Sequence, residues 1–143
     1  MIINRECIAI QDIEKVFSVV NEIDLYSNFV PYCMKSEVEK VSTNELIGTL
    51  NFNIKGVDIS FTTKNIITPN EHIKMTLVEG PFKHLTGSFA FERISKNTQI
   101  KMVLEYESNN FIVDSILDKS MNKISNLLID SFVLETDKRY GKK

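Results

Sequence analysis

His72 and His84 are the only histidines in the chain, and each sits in or beside a stretch where apolar and polar residues alternate. By that alternation both fall on the face opposite the apolar one. Neither is paired in sequence with a nucleophile and an orienting acid. The chain has no G-x-S-x-G, no glycine-rich phosphate loop and no H-E-x-x-H. Exposed strand histidines and no catalytic residue are therefore expected. Cys7 and Cys33 lack C-x-x-C spacing and a nearby histidine, so no metal site is expected. Two free thiols are the simpler reading, with a disulfide between them left open. Glu79 follows Ile73, Met75 and Leu77 onto the apolar face, unless the strand has already ended at Gly80. A carboxylate on that face needs hydrogen bonds or a place at a rim. Thr63 and Asn65 continue the inward register of Phe61. They either set polar groups at one end of a pocket or mark where the sheet leaves the core.

The elements that must position these residues are legible as period-two stretches. Leu46, Gly48, Leu50, Phe52 and Ile54 share one face of a strand; Val57, Ile59 and Phe61 share one face of the next. Ile73, Met75 and Leu77 do so in a third, Leu85, Gly87, Phe89 and Phe91 in another, and Ile100, Met102, Leu104 and Tyr106 in the last. Between Asn110 and Lys138 the period changes: Phe111, Val113, Ile116, Leu117, Met121, Ile124, Leu128 and Phe132 recur at helical spacing. Ser108, Asn109 and Asn110 offer caps, and Gly141 falls just past the end. An antiparallel sheet with one apolar face needs a cover, and this helix supplies it.

Upstream, residues 3–10 read as a strand with Ile8 and Ile10 as its best apolar positions. Asp12 reads as an N-cap for a helix carrying Val16, Phe17 and Val20, and Asp24 as the cap of a second short helix through Phe29, ended by Pro31. Met34 to Ser42 reads as a more polar strand at a sheet edge. Thr43-Asn44, Gly56, Pro69-Asn70, Gly80-Pro81 and Ser95-Lys96-Asn97 supply the turns. The order is β-α-α-β-β-β-β-β-β-α, seven strands and one dominant helix in the α+β class. Residues 1–143 are expected to form a single domain. A sheet curled around one helix can enclose a cavity.

With 143 residues and 43% apolar composition, the chain can bury a core without disulfides or metals. Its net charge of −2 argues against a protein held to DNA by bulk charge. No apolar run approaches the roughly 20 residues needed to span a bilayer. The sequence shows neither a signal peptide nor an Arg- and Ser-rich presequence. A cytoplasmic protein is expected, with at most peripheral contact at the inner face of the cytoplasmic membrane.

The stretch Gly80-Pro81-Phe82-Lys83-x-Leu85-x-Gly87-x-Phe89-x-Phe91 is more specific. Together with Tyr26-x-x-Phe29-Val30-Pro31-Tyr32-Cys33, Phe61-Thr62-Thr63-Lys64-Asn65 and Tyr140-Gly141, it resembles the ribosome association toxin branch of the coenzyme Q-binding family. That family lies within the START-like polyketide cyclase and lipid transport superfamily, and the resemblance runs from about Ile8 to Gly141. It implies a helix-grip fold with an apolar tunnel between sheet and C-terminal helix. It also implies a non-catalytic binder of ubiquinone or a related lipid, linked to respiration, with no required cofactor.

On that reading the tunnel comprises Phe52, Phe61, Thr63, Met75, Leu77, Phe89, Phe91, Met102, Leu117, Met121 and Leu128. Tyr32, Gly80, Pro81, Phe82 and Lys83 form a rim, with Phe82 as a lid. The alternative implied by the same branch is a toxin that binds the large ribosomal subunit and blocks subunit association, using Lys35, Lys83, Lys138, Arg139, Lys142 and Lys143. A cyclase-type enzyme is the third reading. The sequence departs from the family pattern where tryptophan is common, carrying Tyr32 and Phe89 instead. It also places Glu135 where an arginine is expected.

Overall fold

A computed structural model describes residues 1–109 and 114–141. The elements run β1 (Ile2–Ala9), α1 (Ile13–Asn21), a 3-10 turn (Ile23–Leu25), α2 (Tyr26–Phe29), β2 (Cys33–Ser42), β3 (Glu45–Ile54), β4 (Val57–Thr68), β5 (His72–Glu79), β6 (Phe82–Ile94), β7 (Asn97–Ser108) and α3 (Asp114–Tyr140). The seven strands form one antiparallel sheet in the order β1-β7-β6-β5-β4-β3-β2. The sheet is curved, and α3 lies against its concave face. This is the curled sheet over one helix that the alternation predicts, and the α+β helix grip that the family resemblance implies.

The strands form where β-branched and aromatic residues alternate with polar ones, and turn chemistry fixes their register. Lys55 and Gly56 both have positive φ (53° and 82°), the backbone of a two-residue hairpin whose twist matches its strands. Leu50 consequently faces Phe61, and Gly48 faces Thr63. A register shift between Thr62 and Thr63 sets Glu79 opposite Thr62. Such bulges bend a strand and help a sheet to curl. Glu79 is exposed at the very end of β5, so its carboxylate stays in water.

The first strand corrects the sequence reading. Ile8 and Ile10 are 49% and 43% exposed, and Ile3 and Ala9 are the buried residues. The reason is pairing. Ile3 stands beside Leu104, Arg5 beside Met102, Cys7 beside Ile100 and Ala9 beside Thr98, and the even-numbered residues of β7 point inward. Direct cross-strand partners share a face, so the odd positions of β1 face α3 whatever their hydrophobicity. Arg5 on that face donates to the Asn126 and Asn122 side-chain oxygens of α3, at 2.7 and 2.8 Å.

Three further expectations shift. Asp12 is the N-cap residue by position, but its backbone carbonyl, accepting from Lys15 and Val16, opens α1 in place of a side-chain cap. Asp24 lies inside the 3-10 turn, and the residues preceding the two short helical pieces are Glu22 and Leu25. In α3, Ile116 is 52% exposed, while Leu117, Met121, Ile124, Leu128 and Phe132 are buried as their spacing requires. The positions assigned to Asn110, Phe111 and Val113 lie outside the described residues. Pro31, the edge position of β2, the hairpin turns and the Gly141 terminus, whose N–H donates to the Asp137 carbonyl at 2.8 Å, stand where the sequence put them.

Candidate functional site

Between the concave face and α3 lies a cavity of about 50 Å³. Its walls come from three directions. The sheet supplies Gly48, Leu50, Phe61, Thr63, Asn65, Ile73, Met75, Leu85, Phe89, Met102 and Leu104; α3 supplies Met121, Ile124 and Leu128; and the segment after β1 supplies Val20, Ile23 and Tyr26. Almost every wall group is apolar. The Tyr26 hydroxyl donates to the Val20 carbonyl. Burial, with a smaller contribution from nearby Cys33, holds its proton far above the ordinary phenol range. The Thr63 hydroxyl donates to Asn65 Oδ1 at 2.7 Å. Among the described residues, no wall residue is a Lys, Arg, His, Asp, Glu or Cys.

Of the residues expected to form a tunnel, Phe61, Thr63, Met75, Phe89, Met102, Met121 and Leu128 line this cavity. Phe52, Phe91 and Leu117 are buried in the core beyond its wall, with Phe91 edge-on to Phe17 at 5.2 Å. Leu77 is half-buried near the Gly80 turn. Thr63 and Asn65, ambiguous in sequence, are both buried and both in the cavity. Sequence reasoning put Gly48, Leu50, Ile73, Leu85, Leu104 and Ile124 on apolar faces but not in the tunnel, and gave no wall role to Val20, Ile23 and Tyr26. The apolar spacing of α1 marked Val20 as core, but nothing local shows that this helix closes one side of a chamber built mainly by strands far along the chain.

The expected rim residues separate. Phe82 is the first residue of β6 and is buried, its ring 6.2 Å from Phe61 and 5.6 Å from Tyr106, so it belongs to the core rather than to an exposed lid. Gly80 and Pro81 border an outer cleft with Thr49, Ser60, Phe61, Thr62 and Glu79. Lys83 is exposed, 3.8 Å from Glu107, with His84 3.6 Å from the same carboxylate. Tyr32, 52% exposed and at a φ of 66°, borders a different cleft with Ile54, Lys55, Val57, Ile116, Lys119, Ser120 and Lys123.

The predicted basic patch lies only partly among the described residues. Lys35 pairs with Glu37 at 3.3 Å. Arg139 lies between Glu22 and Glu135, at 2.6 and 2.8 Å. Burial alone would lower the Arg139 pKa, but hydrogen bonds to those two carboxylates outweigh it and raise the value. Glu135, standing where the family pattern has an arginine, is thus answered by an arginine one turn later. Lys142 and Lys143 lie outside the described residues.

Both cysteines are free, Cys7 on edge strand β1 and Cys33 on edge strand β2. Burial pushes the Cys7 thiol up to about 11, with Asp130 adding to the effect. Burial likewise raises Cys33 to about 11, partly offset by the Lys35 backbone, which lowers it. At pH 8 the native thiols should alkylate about a hundred-fold more slowly than thiols of pKa 9, since only the thiolate reacts. These raised values stabilise the fold below pH 9, and that contribution is lost as pH climbs from 9 towards 11. Iodoacetamide labelling against pH checks this, and equal rates for native and unfolded protein at pH 8 would refute it.

A curved sheet gripping one long helix around an apolar chamber defines the START-like class of ligand-binding folds. The chain belongs to the polyketide cyclase / dehydrase and lipid transport family, which matches residues 11–133. It is 27% identical over 140 residues to the ribosome association toxin RatA of Vibrio cholerae, covering 97% of each chain. It is 23% identical over 136 residues to the mitochondrial coenzyme Q-binding protein COQ10 of Dictyostelium discoideum, covering 90% of this chain and 65% of that one. Among solved structures, the aromatase/cyclase Zhui from a Streptomyces species superposes with a TM-score of 0.89 at 13% identity, over 97% of this chain and 94% of that one. That last likeness is one of fold.

Proposed function

We propose that this chain is a non-catalytic binding protein that takes a hydrophobic small molecule, of the polyprenyl-quinone or related lipid class, between the sheet and α3. The observation that carries the reading is the chamber itself. Its walls are mostly apolar, and among the described residues they hold no acid–base pair that could drive turnover. Similarity to a coenzyme Q-binding protein supports the ligand class. About 50 Å³ holds little more than one water, whereas sites for drug-sized ligands span roughly 300–1,000 Å³. Occupancy therefore requires the walls to give. Met75, Met102 and Met121, unbranched and adaptable, are the wall residues best able to do so. Each CH₂ of a buried tail contributes about 0.8 kcal/mol, enough to drive that opening. Native mass spectrometry of protein purified from its own host should show a co-purifying neutral lipid, or uptake of added ubiquinone. Neither signal would mean that the chamber is simply core.

A second reading has its own support. The likeness to RatA spans 97% of both chains, and it suits a protein that binds the large ribosomal subunit and blocks subunit association. The cleft around Tyr32 brings Lys55, Lys119 and Lys123 together, a better cationic surface than the one expected from sequence. Gradient sedimentation of lysate after overproduction tests this reading. It requires the ratio of joined to free subunits to fall, and an unchanged ratio counts against it. One fold can host both sites.

A further inference from the structure

We infer that the chamber is built for a neutral molecule bearing a hydrogen-bond acceptor, a carbonyl or ether oxygen, and that this oxygen binds at Asn65 with the apolar remainder directed towards Phe61. The inference rests on the binding reading above and adds the polarity and direction of the ligand. Asn65 is 1% exposed and lines the chamber. Its Oδ1 accepts from the Thr63 hydroxyl, and its Nδ2 meets no partner among the described residues. The amide therefore offers the chamber a donor that a bound molecule's acceptor could meet. Tyr26 cannot supply the acceptor, since its hydroxyl is engaged with Val20. Among the described wall residues, Asn65, Thr63 and Tyr26 are the polar side chains.

The same walls exclude charge. A carboxylate headgroup would sit where no cation faces it, and a cation would meet no carboxylate. Direction follows from the ladder. Asn65 pairs with Leu46 and Met75 and is fully buried, while Phe61, four residues nearer the β3–β4 turn, is only half-buried. A molecule entering past Phe61 meets Asn65 with its leading end, so the polar head goes in first.

The test compares three probes on the intact protein: decylubiquinone, the acceptor-free hydrocarbon decylbenzene, and the decanoate anion. Wild type should bind the quinone at least about ten-fold more tightly than decylbenzene, and decanoate weakest. On binding, the quinone carbonyl stretch should shift to lower frequency in the infrared. Asn65→Leu, close in size and apolar, should abolish that shift and the preference while keeping decylbenzene binding. Thr63→Val should reduce the preference more mildly. Binding of all probes without discrimination, or an unshifted carbonyl, overturns this inference and leaves the binding reading standing. No binding of any probe overturns both. The wild-type probe series and its infrared signature decide the matter even if Asn65→Leu does not fold.

Discussion

Replacing Phe132 with alanine is expected to remove about 3–5 kcal/mol of stability, the usual loss when a buried phenylalanine is cut back and a cavity remains. Phe132 is 0% exposed near the middle of the C-terminal half of α3. Its ring packs 5.4 Å from Tyr26 on α2 and 5.6 Å from Phe89 on β6. It is therefore the point where the long helix, the short helices and the sheet meet. Aromatic pairs of this kind contribute about 0.5–1.5 kcal/mol beyond their burial, so two contacts are lost along with the area. A domain of this size holds roughly 5–15 kcal/mol in all, so the variant should be marginal at 37 °C. Leu134→Ala on the same helix is the control. That side chain is 68% exposed, and its loss should stay within about 0.5 kcal/mol. Urea unfolding measures both. A Phe132→Ala loss below about 1.5 kcal/mol would mean that the three layers do not depend on this ring.

Gly48→Val should act oppositely, leaving the fold intact while closing the chamber. Gly48 lines the cavity from β3, and a Cβ placed there meets Ile23 Cγ2 at 3.5 Å and Leu46 Cδ1 at 3.7 Å, ordinary contact distances. Valine suits a strand, and glycine in a strand interior is weakening. Stability should hold or rise by up to about 1 kcal/mol. The two branch methyls then occupy much of a space of only about 50 Å³. Quinone affinity should fall at least about ten-fold, each obstructed methylene being worth about 0.8 kcal/mol. Gly87→Ala is the contrast. Its Cβ would lie 2.7 Å from Leu104 Cδ2 and 2.9 Å from Met75 Cε, so it should destabilise. Titration calorimetry beside thermal melts separates the cases. Undiminished affinity in a folded Gly48→Val would move the ligand out of this chamber.

The sheet was legible because one face of each inner strand is buried, and burial on one side writes a period of two into the sequence. The β1 register was not legible. Arg5 and Cys7 face inward because β7 dictates it, a fact held in residues nearly a hundred positions away. Ile116 kept the helical spacing but borders the Tyr32 cleft, since periodicity gives a helix face and not the length over which a neighbour covers it. The chamber was half legible. Its sheet and α3 walls follow from register, whereas Ile23 sits in a 3-10 turn and Tyr26 in a four-residue helix, both too short for a period to read. The split of Phe82 from Tyr32 was hidden too, because a Gly-Pro turn announces a bend without saying which following side chain folds under it.

The strand order has a consequence for how the molecule is made. Six successive strands from β2 to β7 can zip together as each emerges, every one beside its predecessor. β1 cannot, because its only partner is β7, and Ile3 must wait for Leu104. Loop closure over so many residues is entropically slow. The earliest strand synthesised is thus among the last installed, and α3, made later still, shuts the chamber. A nascent chain therefore passes through a stage in which a half-built apolar trough faces the solvent.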